Sequence, residues 1–202
     1  MSQYFENDLT LKSNIKFLHF MFHGESFTFQ TDTGVFSKDA VDKGSIALLE
    51  VVRSKPFSGP ILDVGCGYGV LGIVLARLSK ESVTMFDVNE KAVELTKKNL
   101  ILNKISNAKV FVSDSYESLT PSSFDTIVIN PPIRAGKNVV HKLLLEGVDY
   151  LSIGGTLYFV IRKAHGAKSA AKMLKSHDLP CELVKKDKGY YIYQVSKAKK
   201  IN

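Results

Sequence analysis

The chain has 202 residues, 45% hydrophobic and 23% charged, an ordinary globular composition with length for one domain and its own core. Two distant cysteines, five scattered histidines, a polar acidic stretch over residues 1–10 and no long apolar run exclude a zinc cluster, a secretory leader and a membrane span, so a cytoplasmic protein without metal is expected. Its 27 basic and 20 acidic residues leave a charge of +7, which favours a polyanionic partner, although solvated helix lysines and a loose Lys199-Lys200 tail give the same balance.

Residues 15–22 (IKFLHFMF) are rich in β-formers, and Phe27 and Phe29 alternate with Ser26, Thr28 and Gln30. With His23-Gly24-Glu25 as the turn between them, these segments predict an N-terminal β-hairpin, expected to pack within the chain. Thr33-Gly34-Val35-Phe36-Ser37 reads as a loop. Residues 42–53 predict a helix with Ile46, Leu48, Leu49 and Val52 on its apolar face, stopped by Lys55-Pro56 and Ser58-Gly59-Pro60.

From residue 61 the pattern repeats strand, loop, helix. Strands are predicted at 61–64, 83–86, 109–112, 124–129 and 156–161, and helices at 70–78, 91–103, 141–151 and 167–176. Asn89 is a suitable N-cap for the helix at 91–103, and Ile153-Gly154-Gly155 closes the one at 141–151. Strands at 181–185 and 190–195, joined by Lys186-Asp187-Lys188-Gly189, form a terminal hairpin, so one edge strand is expected to run antiparallel. The fold expected is α/β: a Rossmann-like, doubly wound, seven-stranded sheet in a single domain. Residues 1–59 supply the hairpin, loop and first helix, and residues 60–202 the ligand-binding core.

Asp63, Asp87, Asp114 and Asn130 all fall at the carboxyl ends of predicted strands, where such sheets bind ligands. In Asp63-Val64-Gly65-Cys66-Gly67-Tyr68-Gly69, the glycines permit a tight strand-to-helix turn and close approach of a ligand to the backbone. Residues 67–72 also satisfy the GxGxxG dinucleotide pattern, with Asp87 twenty positions on, so a nicotinamide-binding oxidoreductase is a competitor. Asp87, followed by Val88, can accept hydrogen bonds from both ribose hydroxyls, chemistry common to NAD and S-adenosylmethionine, or it can simply face the dipole of the next helix. Asp114-Ser115 suits an adenine amino group, or else caps a short helix at Tyr116-Glu117.

Asn130-Pro131-Pro132-Ile133 separates the candidates. Two prolines after a buried strand stiffen the backbone and remove local N–H donors. The Asn130 side-chain oxygen and the Pro131 carbonyl can together accept hydrogen bonds from an NH2 group and aim its lone pair at an electrophilic methyl. Hydride transfer needs no such element.

The glycine turn together with Asn130-Pro131-Pro132-Ile133 resembles motifs I and IV of the amino-group class I methyltransferases. Gly34-Val35-Phe36-Ser37, with Asp42-Lys43-Gly44-Ser45 after it, is similar to the catalytic domain of the ribosomal RNA small subunit methyltransferase C family, which modifies guanine N2. The resemblance runs from about residue 14 to residue 195. It implies S-adenosylmethionine held by Asp63, Gly65, Gly67, Gly69, Asp87, Val88, Asp114, Ser115 and Asn130, with Asn130, Pro131, Pro132 and Ile133 as the catalytic motif. Ribosomal RNA or the small ribosomal subunit is the implied partner, with Lys97-Lys98, Lys137, Lys163 and Lys185-Lys186 as phosphate contacts.

Two departures stand out. Larger family members carry a further inactive N-terminal domain, for which 202 residues leave no room. Motif IV usually ends in an aromatic residue that stacks on the base; here it ends in Ile133, so stacking falls to Phe36 and Arg134. Protein glutamine methylation, whose enzymes share Asn-Pro-Pro, is one alternative. An inactive RNA-binding or assembly factor that keeps the fold is another, against which the retained Asp63, Asp87 and Asn130 argue.

Overall fold

The computed structural model describes residues 12–119 and 123–197; the acidic stretch at 1–10 and the Lys199-Lys200 tail lie outside them. In chain order the elements are β1 (Lys16–Phe22), β2 (Glu25–Thr31), α1 (Lys43–Val52), β3 (Ile61–Val64), α2 (Val70–Ser79), β4 (Val83–Asp87), α3 (Glu90–Leu102), β5 (Ala108–Val112), β6 (Phe124–Ile129), α4 (Lys137–Asp149), β7 (Leu151–Arg162), α5 (Ala167–Ser176), β8 (Cys181–Asp187) and β9 (Tyr190–Ser196).

β3 to β9 form one sheet in the order β5-β4-β3-β6-β7-β9-β8. β3 to β7 are parallel, with α2, α3 and α4 crossing between β3 and β4, β4 and β5, and β6 and β7, while β9 runs antiparallel to both β7 and β8. The tight Lys188-Gly189 turn, with φ of 44° and 85°, allows only an antiparallel return, so the reversal falls on β9, one place in from the edge strand β8. That insertion departs from the all-parallel order of dinucleotide-binding sheets. β8 is exposed along most of its length, and Glu182, Lys185 and Lys186 on it discourage edge-to-edge pairing.

Alternation along the strands divides the core in two. Ile61, Met85, Val128, Val160 and Ile192 pack with α1, α2, α3 and the hairpin on one face. Leu62, Phe86, Ile127, Ile129, Phe159 and Val195 pack with α4 and α5 on the other. Both faces are covered, which is why the parallel strands read as continuous apolar runs.

The hairpin pairs from Lys16↔Thr31 to Phe22↔Glu25 and buries Phe22, Phe27 and Phe29 in the first of these clusters. Its outer edge is tied to α3 by two asparagines one turn apart. The Asn99 carboxamide accepts from the Gln30 amide at 2.7 Å and donates to the Gln30 carbonyl at 3.0 Å, and Asn103 does the same for Thr28 at 3.0 and 2.8 Å. Each asparagine thus serves β2 as a neighbouring strand would. Arg77 of α2 adds an ion pair to Glu25 at 3.1 Å and lies 5.2 Å over the Phe27 ring.

Two elements differ from the sequence expectation. α4 begins at Lys137, not residue 141, because Gly136 takes φ 96° at its start and Val140, Leu144 and Val148 then form one buried face. Residues 153–155 do not end the helix but lie inside β7. Between Phe124↔Leu151 and Thr126↔Thr156, β6 advances two residues while β7 advances five, so the Gly154-Gly155 signal marks a bulge. Among the described residues no helix is long and apolar enough to cross a membrane, and no cluster of three or more His, Cys, Asp or Glu could hold a metal ion.

Candidate active site

β3 lies between β4 and β6, which continue the sheet in opposite directions, so a crevice opens beyond its carboxyl end. Val64 pairs with Ile129, and the chain therefore leaves the sheet at Gly65 and at Asn130 side by side. Gly65, Gly67 and Gly69 all adopt positive φ, at 68°, 57° and 94°. The turn is held by the Gly65 and Cys66 amides donating to the Phe86 carbonyl at 2.9 and 3.0 Å, and by the Thr96 hydroxyl on the Gly67 carbonyl at 2.8 Å. A Cβ on Gly65 or Gly67 would meet nothing within 4 Å, so this backbone is open to close approach. Gly72 has the opposite reason to be glycine: its Cβ would lie 2.3 Å from the Met85 sulfur, and only without it can α2 close on β4.

Asp63 lies beneath the turn, fully buried, with Oδ2 accepting the Gly72 amide at 2.8 Å. Its Oδ1 is the buried side-chain oxygen left without a partner among the described residues. Burial, opposed by the Gly72 bond and reinforced by the Asp87 charge, pushes the Asp63 carboxyl up to about 7. Asp87, at the end of β4, accepts the Gly67 amide at 2.8 Å through Oδ2 and the Asn89 amide at 2.9 Å through Oδ1. Burial and these two carboxylates push the Cys66 thiol well above its ordinary value, which excludes it as a nucleophile. Val88 is half-buried beside Asp87. Asp114 is exposed beyond β5, and Ser115 gives no side-chain cap to the short turn Tyr116–Ser118.

Asn130 is half-buried at the end of β6. Its Nδ2 donates to Asp42 Oδ2 at 3.0 Å and to Ser45 Oγ at 2.9 Å, so both amide hydrogens are committed and the oxygen remains as an acceptor. Pro131 is buried, and no described residue donates to its carbonyl, whereas the Pro132 carbonyl accepts the Ala135 amide at 2.9 Å. Ile133 packs against the α4–α5 cluster and lines a groove with Val140, His141, Ile161 and His165, while Arg134 is exposed.

The loop carrying Phe36 is tied to the same place. Tyr68 of the glycine turn donates to the Ser37 carbonyl at 3.3 Å, and Asn89 to the Gly34 carbonyl at 3.5 Å. Val35 anchors the loop in the core and Phe36 is 55% exposed. Behind it, Asp32 accepts from the Ser13 hydroxyl and the Asn14 and Thr33 amides and pairs with Lys91 at 2.8 Å. Burial opposes the Asp32 charge, but these donors hold its carboxyl well below the usual range.

Of the lysines singled out above, Lys137 starts α4 and Lys163 follows β7, both at the crevice end of the sheet. The Lys163 amide donates to the Gly189 carbonyl at 2.8 Å, which brings it beside the β8–β9 turn, near Lys185 and Lys186. Lys97 sits midway along α3, paired with Glu94 at 2.6 Å, and Lys98 follows it, so this pair is not gathered with the others. The sequence marks Asp42-Lys43-Gly44-Ser45 as part of the resemblance but assigns Asp42 and Ser45 no role on Asn130; locally, Asp42 reads as the N-cap of α1 with Ser45 in its first turn.

A family model, the methyltransferase small domain, matches residues 26–194. The chain is 42% identical over 196 residues to the uncharacterized protein YbxB of Bacillus subtilis, covering 96% of this chain and 98% of that one. It is 30% identical over 181 residues to ribosomal RNA small subunit methyltransferase C of Vibrio cholerae, covering 87% of this chain and 51% of the relative. It therefore spans about half the length of that relative. Among solved structures, the T. thermophilus 16S rRNA guanine-N2 methyltransferase RsmC, in complex with AdoMet and guanosine, superposes with a TM-score of 0.82 at 26% identity, covering 93% of this chain and 52% of that one. With the turn after β3, Asn130 after β6 and a family match across most of its length, the chain belongs to the methyltransferase small domain family.

Proposed function

We propose that this protein transfers a methyl group to the exocyclic N2 amine of a guanine in small-subunit ribosomal RNA. The chain is an S-adenosylmethionine-dependent methyltransferase. Its residues fit that cofactor: the backbone at Gly65 and Gly67 is open, the Asp87 carboxylate at the end of β4 is an acceptor of the kind ribose hydroxyls need, and Asp63 Oδ1, unpartnered among the described residues, suits a cationic ligand. Gly69, Val88, Asp114 and Ser115 complete the cradle in this reading, and the hairpin, loop and α1 act with the core as a single domain. When bound, S-adenosylmethionine supplies an electrophilic methyl group.

The observation that carries the reading is the β3–β6 register, which sets the open turn beside Asn130. Asn130 Oδ1 and the Pro131 carbonyl accept the two N–H bonds of an aryl amine, orient its lone pair and stabilise the charge that develops on nitrogen. Pro131 and Pro132 hold those acceptors rigid. Ile133 is engaged with α4 and α5, so Phe36 and Arg134 are the groups that bracket the base. The guanosine bound to the T. thermophilus relative supports guanine as the base, and the charge of +7 supports an RNA substrate, which implies action in the cytoplasm.

Purified protein incubated with radiolabelled S-adenosylmethionine and small ribosomal subunits from a strain lacking the gene should yield N2-methylguanosine on nucleoside analysis of their RNA. Label recovered in glutamine of a ribosomal protein would instead support the glutamine reading, and no label in either would support the inactive assembly factor.

A further inference from the structure

We propose that Asp42, assisted by Ser45, is a positioning residue that fixes which end of the Asn130 amide meets the substrate, and so restricts the site to nucleophiles that donate hydrogen bonds. This rests on the reading of Asn130 as the acceptor for a substrate amine. The two ends of an asparagine side chain are nearly equal in size and opposite in polarity. Turned over, Asn130 would present NH2 to the NH2 of its substrate, donor against donor.

Asp42 prevents that inversion. Its carboxylate only accepts, so an inverted Asn130 would place oxygen against Asp42 Oδ2, where Nδ2 now donates at 3.0 Å. Ser45 Oγ, 2.9 Å from the same nitrogen, can either accept or donate, so it supports the arrangement without selecting it. Asp42 is itself fixed from two sides. Oδ2 accepts the Ser45 amide at 2.9 Å as the N-cap of α1, and Oδ1 accepts the Tyr190 hydroxyl of β9 at 3.4 Å. Tyr190 is in turn covered by the Arg162 guanidinium, 4.7 Å above its ring. Capping α1 requires only the Ser45 amide; the bond to Asn130, 88 residues away in the chain, is additional to it.

The test uses Asp42→Ser, Asp42→Asn, Asn130→Ala and the double variant Asp42→Ser/Asn130→Ala in the full-length protein. Serine caps a helix as well as aspartate but is too short to reach Asn130, so the fold and the calorimetric affinity for S-adenosylmethionine should hold. kcat on RNA from the gene-deletion strain should fall by roughly tenfold to a hundredfold. Asp42→Asn keeps both the cap and an acceptor oxygen, and should restore most of that loss. In the Asn130→Ala background, Asp42→Ser should add no further loss, because residues acting through one group are not additive. A loss that multiplies in that background, or wild-type kcat in Asp42→Ser, overturns the proposal.

Side-chain amide NMR reads the clamp without turnover. The Asn130 NH2 signals, assigned by their disappearance in Asn130→Ala, should be shifted and slowly exchanging in wild type and should lose both properties in Asp42→Ser. Unchanged signals overturn the clamp. A wild-type protein that methylates no RNA, with the NMR result as expected, overturns instead the functional reading on which it rests.

Discussion

At the residue scale, the carboxylates around the glycine turn differ in what surrounds them. Asp87 accepts the Gly67 and Asn89 amides, whereas Asp63 accepts one amide and has an oxygen without a partner among the described residues. The consequence is a pH dependence with a definite sign. The Asp63 carboxyl has an ordinary value of 3.8 and is pushed up to about 7 in the folded protein. Between those values the unfolded chain has already lost a proton that the native state retains, so the stability Asp63 contributes is complete below the lower value and is lost as pH rises through the upper one. Asp63→Asn should flatten that part of the profile, read by urea unfolding across the interval; a slope equal to wild type would assign the titration to another group.

The contrast between Asp87 and Asp42 shows what a sequence can disclose. Gly67 and Asp87 are twenty residues apart, at the two carboxyl ends of one β3–α2–β4 unit, and Asn89 follows directly, so their spacing is legible in the sequence. Asp42 and Asn130 are 88 residues apart, and nothing in either segment announces that the end of β6 meets the start of α1. Ile133 gave a chemical oddity in the sequence; only its packing against α4 and α5 explains where its side chain is spent.

At the scale of elements, the hairpin β1–β2 delivers the Phe36 loop, and its position depends on α3 through Asn99 and Asn103. Replacing either asparagine by alanine leaves a strand amide and carbonyl without partners, at a cost of about 1–3 kcal/mol. Hydrogen exchange at the Thr28 and Gln30 amides should accelerate, with a lower Tm and reduced turnover. Protection equal to wild type would mean that the hairpin does not depend on these asparagines. The hairpin itself was legible from its alternation, because one face is buried and the other is not. Its docking was not, since an asparagine inside a helix and another at its C-terminal cap carry no pattern that points to a strand. The Gly154-Gly155 pair misled for a related reason: a bulge and a turn use the same residues, and only pairing with β6 distinguishes them.

At the scale of the whole molecule, the proposed reading lays RNA along the crevice rim, where Lys137 and Lys163 lie. Lys137→Ala and Lys163→Ala should each weaken RNA binding and reduce the salt dependence by about one counterion, whereas Lys80→Ala, past the far end of α2, should leave both unchanged. Equal effects from all three, in filter binding across a salt series, would point to diffuse attraction by net charge. The fold class was legible at this scale because each buried strand and amphipathic helix announces itself. The placement of β9 inside the edge was not, since a hairpin specifies pairing within itself and not which of its strands meets β7. The most direct measurement is mass mapping of small-subunit ribosomal RNA from cells with the gene, without it, and complemented with Asn130→Ala. One guanine should carry an N2-methyl group only when the wild-type gene is present; a methylation pattern identical in all three would contradict guanine N2 as the target and Asn130 as its acceptor.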